Sequence, residues 1–117
     1  MSDTTEIMEM QGRMEAARIF IRDNAAKCGE ACQVKEYDSR LCKKLLAQKA
    51  RPFIALGDSN AIAETKAQAT DEYAIELDVL RQQYTEAMVI IKKNDAAEVS
   101  FRSAQSLLSF EKGLTKL

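Results

Sequence analysis

Three cysteines, a set of glutamates, one basic run and an aromatic–arginine–serine triplet are the residues of this 117-residue chain whose types and spacing could do chemistry. Cys28 and Cys32 stand four apart, so on a helix both thiols share a face, and Cys42 follows ten residues later. Structural zinc wants four ligands of Cys or His type, and the chain has three cysteines and no histidine. The cysteines therefore read as small, half-buried helix residues, with a metal site shared between subunits as the alternative. The missing histidine also removes the commonest general base and proton shuttle, and with it any Ser-His or Cys-His pair. Helical di-metal sites use Glu-x-x-His pairs, so Glu72, Glu76 and Glu86 read as a solvated helix face. Neither G-x-x-x-x-G-K-[ST] nor G-x-G-x-x-G occurs. The chain is expected to be no enzyme and to hold no cofactor and no metal.

The basic run carries a different chemistry. Between Lys35 and Arg51 six basic residues stand against two acidic ones, a local charge of +4. Arg40, Lys43, Lys44, Lys49 and Arg51 could track phosphates, with Tyr37 as a stacking ring. Between Asp58 and Glu86 seven acids stand against two bases, a local charge of −5. The two segments could instead fold against each other or pair between subunits. The net charge of −1 favours that reading over a polyanion binder. Met8, Met10 and Met14 could make an adaptable apolar surface, but at heptad spacing they read as core. Near the other end, Phe101, Arg102 and Ser103 are the residues expected to meet a partner, through a phosphate- or carboxylate-binding surface or a helix contact.

Helices must position all of these. Charged residues are 30% and apolar ones 46%, with one proline and no tryptophan, a helical composition with few turn signals. The stretch from Thr70 to Leu117 has no proline and only one glycine, Gly113, and in it Tyr73, Leu77, Leu80, Tyr84, Ala87 and Ile91 step by four and three. As one helix it would span about 70 Å at 1.5 Å per residue. Its weak point is Lys93-Asn94-Asp95, where the seam reaches Asn94 and Glu98 and then apolar positions resume at Phe101, Ala104 or Leu107, Leu108 and Leu114. Either the chain breaks there, or the helix continues with a shift in phase and a buried Asn fixing register. Continuity is favoured because no Gly or Pro adjoins the step. In this segment Ser100, Ser103, Ala104 and Ser106 form a small-residue face, and Glu98 and Arg102 can pair across one turn.

The first helix is expected over residues 3–27, capped by Ser2, Asp3 or Thr4, with a seam of Ile7, Met10, Met14, Ala17 and Ile21 and a stop at Cys28-Gly29. A second helix is expected over 31–51, with Val34, Tyr37, Leu41, Leu45 and Gln48 on its period. It ends or kinks at Pro52, with room for one more turn before Gly57. Gly57-Asp58-Ser59-Asn60 reads as a loop, followed by an alanine-rich helix over 60–69 and the long helix over 70–115 with a break or phase shift near 94. The fold class is all-α, an antiparallel helical bundle or long helical hairpin with coiled-coil-like seams in a single domain. The seam Tyr73, Leu77, Leu80, Tyr84 and Ile91 is expected to pair subunits in a dimer or larger homo-oligomer. The acidic, polar start and the short apolar runs predict neither a leader nor a membrane span. The odd cysteine count predicts reduced thiols in a cytosol.

From about Lys49 onward the chain resembles small all-helical bacteriophage proteins, some encoded beside single-strand annealing and recombination genes. The residues that carry the resemblance are Gly57-Asp58-Ser59-Asn60, the alanine-rich helix, Tyr73 and Tyr84, and Phe101-Arg102-Ser103 with Ser106 and Ser109. Phe101 stands where that pattern has Trp. The resemblance implies a phage accessory protein in the bacterial host cytoplasm that supports DNA recombination or replication, or interferes with a host protein. The function expected is a non-catalytic interaction module acting on a protein partner, for example as an inhibitor of a host defence system. The alternative is a nucleic-acid-binding accessory that uses the basic stripe.

Overall fold

The computed structural model describes residues 4–115. They form four helices, α1 (Thr4–Asp23), α2 (Ala25–Ala55), α3 (Asn60–Gln68) and α4 (Asp71–Thr115), with no strand among the described residues. The fold is all-α, of the helical hairpin or bundle kind. Ser2 and Asp3, expected as caps, lie outside the described residues, as does the side chain of Leu114. The chain divides into two compact units: Glu30–Met88, and the described parts of Met1–Gly29 with Val89–Leu117.

The boundary expected at Cys28-Gly29 falls instead at Asn24. The Asn24 backbone N–H donates to the Phe20 carbonyl at 3.0 Å, and its side-chain amide donates to the same oxygen at 2.9 Å. Cys28 N–H then donates to the Asn24 carbonyl at 2.8 Å. A short amide competing for the local backbone acceptor marks the junction, a role that glycine's preference for helix ends assigns to Gly29. Cys28 and Gly29 lie inside α2.

In the Glu30–Met88 unit, α2 runs through Pro52 to Ala55. Phe53 packs on the buried Ala50, Ala63 and Ala67, and this contact outweighs the local preference of Arg51-Pro52 to leave the helix. The helix then stops in a Schellman turn. Gly57 N–H donates to the Ile54 carbonyl at 3.0 Å and Asp58 N–H to the Phe53 carbonyl at 3.1 Å, with Gly57 at φ +103°. Ser59 caps α3 by accepting from Ile62 N–H at 3.4 Å, and Thr70 caps α4 by accepting from Tyr73 N–H at 3.3 Å. Asp58 accepts from Lys66 at 2.7 Å, and the Lys66 ammonium sits 6.0 Å from the Phe53 ring centroid, which ties the loop back onto α3. Ala63 and Ala67 have 0% exposure, so α3 lies with no gap against α2.

In the other unit α1 lies antiparallel to the end of α4: Gln11, Met14 and Arg18 line one cleft with Phe101 and Leu108, and Arg18 and Ile21 line another with Phe101. The seam Ile7, Met10, Met14, Ala17 and Ile21 forms the covered face of α1. Helix α4 is continuous, and the phase shift expected at Asn94 is absent. Covered positions run Tyr73, Leu77, Leu80, Tyr84, Ala87, Ile91, Asn94, Glu98, Phe101, Ala104 and Leu108 in unbroken steps of three and four. Asn94 is 9% exposed and donates to the Glu98 carboxylate at 3.4 Å. The two polar residues satisfy each other, so the seam crosses them without an orphaned amide.

Among the described residues, seven of the nine buried apolar ones are alanines: Ala17, Ala31, Ala50, Ala63, Ala67, Ala87 and Ala104. Contacts built on so little side chain leave the larger apolar groups along the helix edges half-covered or exposed.

Candidate interaction surface

The covered face of α2 keeps Val34 and Leu45 of the one expected and is turned away from the rest. Ala31, Val34, Asp38, Cys42, Leu45 and Lys49 point inward, while Tyr37, Leu41 and Gln48 are exposed. Inward Lys49 reaches Glu76 at 3.1 Å and Glu72 at 3.7 Å, two carboxylates one turn apart on α4. The hydrogen bond that Lys49 donates to Glu76, together with the adjacent charge of Glu72, holds the Lys49 pKa above its usual value. The basic and acidic segments thus meet within one chain at this point.

The turn of α2 also sets Cys42 beside Asp38, with the thiol at 4.0 Å from the carboxylate. Burial, then the Asp38 charge, push the Cys42 pKa up despite Arg81, so the thiol stays protonated. Cys28 is half-buried and Cys32 exposed. Among the described residues no three His, Cys, Asp or Glu side chains gather to hold a metal ion. Nor is any helix there long and apolar enough to cross a membrane.

With Lys49 engaged, the rest of the basic stripe faces out. Arg40, Lys43, Lys44 and Arg51 are exposed on α2, and the Arg40 guanidinium stands 5.5 Å from the Tyr37 ring centroid. The triplet on α4 does not form one patch. Phe101 is half-buried against Arg18 and Ile21, while Arg102 and Ser103 are exposed. The small-residue face narrows to Ala104, which is buried, and Ser100, which is half-buried; Ser103 and Ser106 are exposed. Glu98 accepts from Asn94, the neighbour one turn before it. Tyr73, Leu77, Leu80, Tyr84 and Ile91 are half-buried within the single chain.

The feature that stands out is an open groove in the Glu30–Met88 unit. Leu41 and Leu45 of α2 form one wall and Val79 and Leu80 of α4 the other, with Lys44, Gln48 and Glu76 at the rim. It encloses about 350 Å³. Leu41 is 41% exposed, Val79 49% and Ile75 one turn away 66%. No acid–base pair, nucleophile or phosphate-cradling loop lines it, so its chemistry is apolar contact with a charged border. Val79 and Ile75 are legible in the sequence as an apolar i, i+4 pair off the α4 seam, a signal outshone by the seam itself.

Comparison with known proteins finds no family model, no curated protein and no solved structure that this chain matches.

Proposed function

We propose that this protein is a non-catalytic helical interaction module that binds a protein partner along the α2/α4 groove. The observation that supports it is the groove itself: four apolar side chains, two of them largely exposed, between a lysine and a glutamate. Such an apolar strip with a polar rim is the pattern of a helix-binding surface. The resemblance at Gly57–Asn60 and Phe101–Ser103 supports a phage accessory role in the bacterial cytoplasm, of which inhibition of a host defence protein is one form. The test is quantitative capture from bacterial lysate with the wild-type chain and with the exposed-site variants Leu41→Asp and Val79→Asp. A partner retained by the wild type and lost by both variants is expected. Capture that both variants leave unchanged would remove the groove from the mechanism.

The outward basic stripe favours a second reading, nucleic-acid binding. Arg40 over Tyr37, flanked by Lys43, Lys44 and Arg51, offers a stacking ring beside three cations. In a gel-shift series this reading expects binding that falls steeply with salt and is lost on reversing Lys43 and Lys44 to Glu. No shift at low salt excludes it.

A further inference from the structure

We infer that the α2/α4 groove takes an amphipathic helix of another protein, one with an acidic edge beside its apolar face. The inference rests on the interaction reading above and names the chemistry of the partner.

The free charge at the groove has one sign. Two charged side chains line it, Lys44 of α2 and Glu76 of α4. Glu76 is held by Lys49 at 3.1 Å, and the same ammonium stands 3.7 Å from Glu72. The chain thus neutralises its own acidic side, and a cation brought to Glu76 would have to compete with Lys49. Lys44 is exposed and has no ion pair among the described residues. Arg40, one turn earlier on the same flank of α2, is also exposed, and its guanidinium lies over the Tyr37 ring rather than on a carboxylate. The groove therefore leaves two things unanswered: apolar surface on Leu41, Val79 and Ile75, and positive charge on Lys44 and Arg40.

An occupant has to answer both. A helix with apolar residues at i, i+3, i+4 and i+7 covers the strip. A cation under a docked helix loses hydration with nothing in return unless a counter-charge meets it, so the edge that lies over Lys44 has to be acidic. A cationic helix meets like charge there. A nucleic acid answers the cations but leaves the apolar side chains of the groove in water.

Fluorescence anisotropy on the intact chain at low salt tests the inference, with synthetic helical peptides of about 18 residues as probes. One peptide has leucines at the anchor positions and glutamates along one edge. A second has lysines in place of the glutamates, and a third keeps the glutamates but has serines in place of the leucines. The first should bind at least about tenfold tighter than either of the others. Lys44→Glu should weaken its binding about fivefold or more, and Val79→Asp should abolish it. Both variants should keep the far-ultraviolet circular dichroism of the wild type, because both sites are exposed and outside the alanine contacts. Equal binding of the first two peptides, no effect of Lys44→Glu, or failure of all three to bind overturns the inference. Equal binding of the third marks a general polyanion surface and overturns it as well. A wild-type dimer in light scattering that Val79→Asp breaks makes a second copy the occupant, which also overturns it. Lysate capture lost with Leu41→Asp and Val79→Asp but unmoved by Lys44→Glu leaves the interaction reading standing and removes only the acidic partner.

Discussion

Ala67→Leu should cost the protein roughly 1–3 kcal/mol of stability, seen as a Tm lower by roughly 4–12 °C. Ala67 has 0% exposure in the contact between α2 and α3, where Ala50 and Ala63 are its buried neighbours and Leu46 and Phe53 close the sides. Three extra carbons have no space between two helices that approach on alanine, so α3 must shift or the leucine must leave its preferred rotamers. Helix propensity cannot offset this, since alanine is already the best helix former. Ala61→Leu, on the exposed side of the same helix, is the control and should stay within about 0.5 kcal/mol of the wild type. Thermal melts of the two variants decide the matter. Equal melting temperatures would mean that α3 is not held by its alanine face.

Phe101→Ala should be the other costly change, by about 2 kcal/mol. That is below the roughly 3–5 kcal/mol of a fully buried aromatic, because Phe101 is half-covered. It lines one cleft with Ile21 and Arg18 and another with Met14 and Leu108, so truncation enlarges both between α1 and α4. Arg102→Ala and Ser103→Ala, on exposed neighbours, should change stability by less than about 0.5 kcal/mol. Chemical denaturation of the three variants reads this directly. Phe101→Ala with wild-type stability would show the ring to be a surface group after all, free for a partner. The expected split assigns Phe101 to folding and leaves only Arg102 and Ser103 of the triplet for binding.

Residue spacing along single helices is legible in the sequence alone. The seams of α1 and α4 follow the three–four step written in Ile7 to Ile21 and Tyr73 to Ile91. The caps at Ser59 and Thr70 and the stop at Gly57 follow from side chains that act on backbone within three residues. Local chemistry of this kind needs nothing from the rest of the chain. The boundary at Asn24 is also local, but there the Gly29 signal competes with an asparagine whose effect depends on its rotamer.

Which side of α2 turns inward is not legible in the sequence. Val34 and Leu45 of the expected face are covered, but Tyr37, Leu41 and Gln48 of the same period are exposed and Ala31, Asp38, Cys42 and Lys49 take their place. The choice depends on contacts more than twenty residues away along the chain, among them the two carboxylates of α4 that accept the Lys49 ammonium. Placing Lys49 inside leaves Leu41 outside, and Leu41 with Val79 makes the groove. The sequence by itself determined an all-helical chain with a seam from Tyr73 to Ile91, because helix formation and capping are short-range, while the unbroken run of that seam through Asn94 and Glu98 was visible only in the structure. Tertiary structure alone decided the rotation of α2, and so the surface left open for a partner. Contacts distant in sequence, the alanine packing of α3 on α2 first and the Lys49 ion pair beside it, select among helix faces that local periodicity leaves nearly equal.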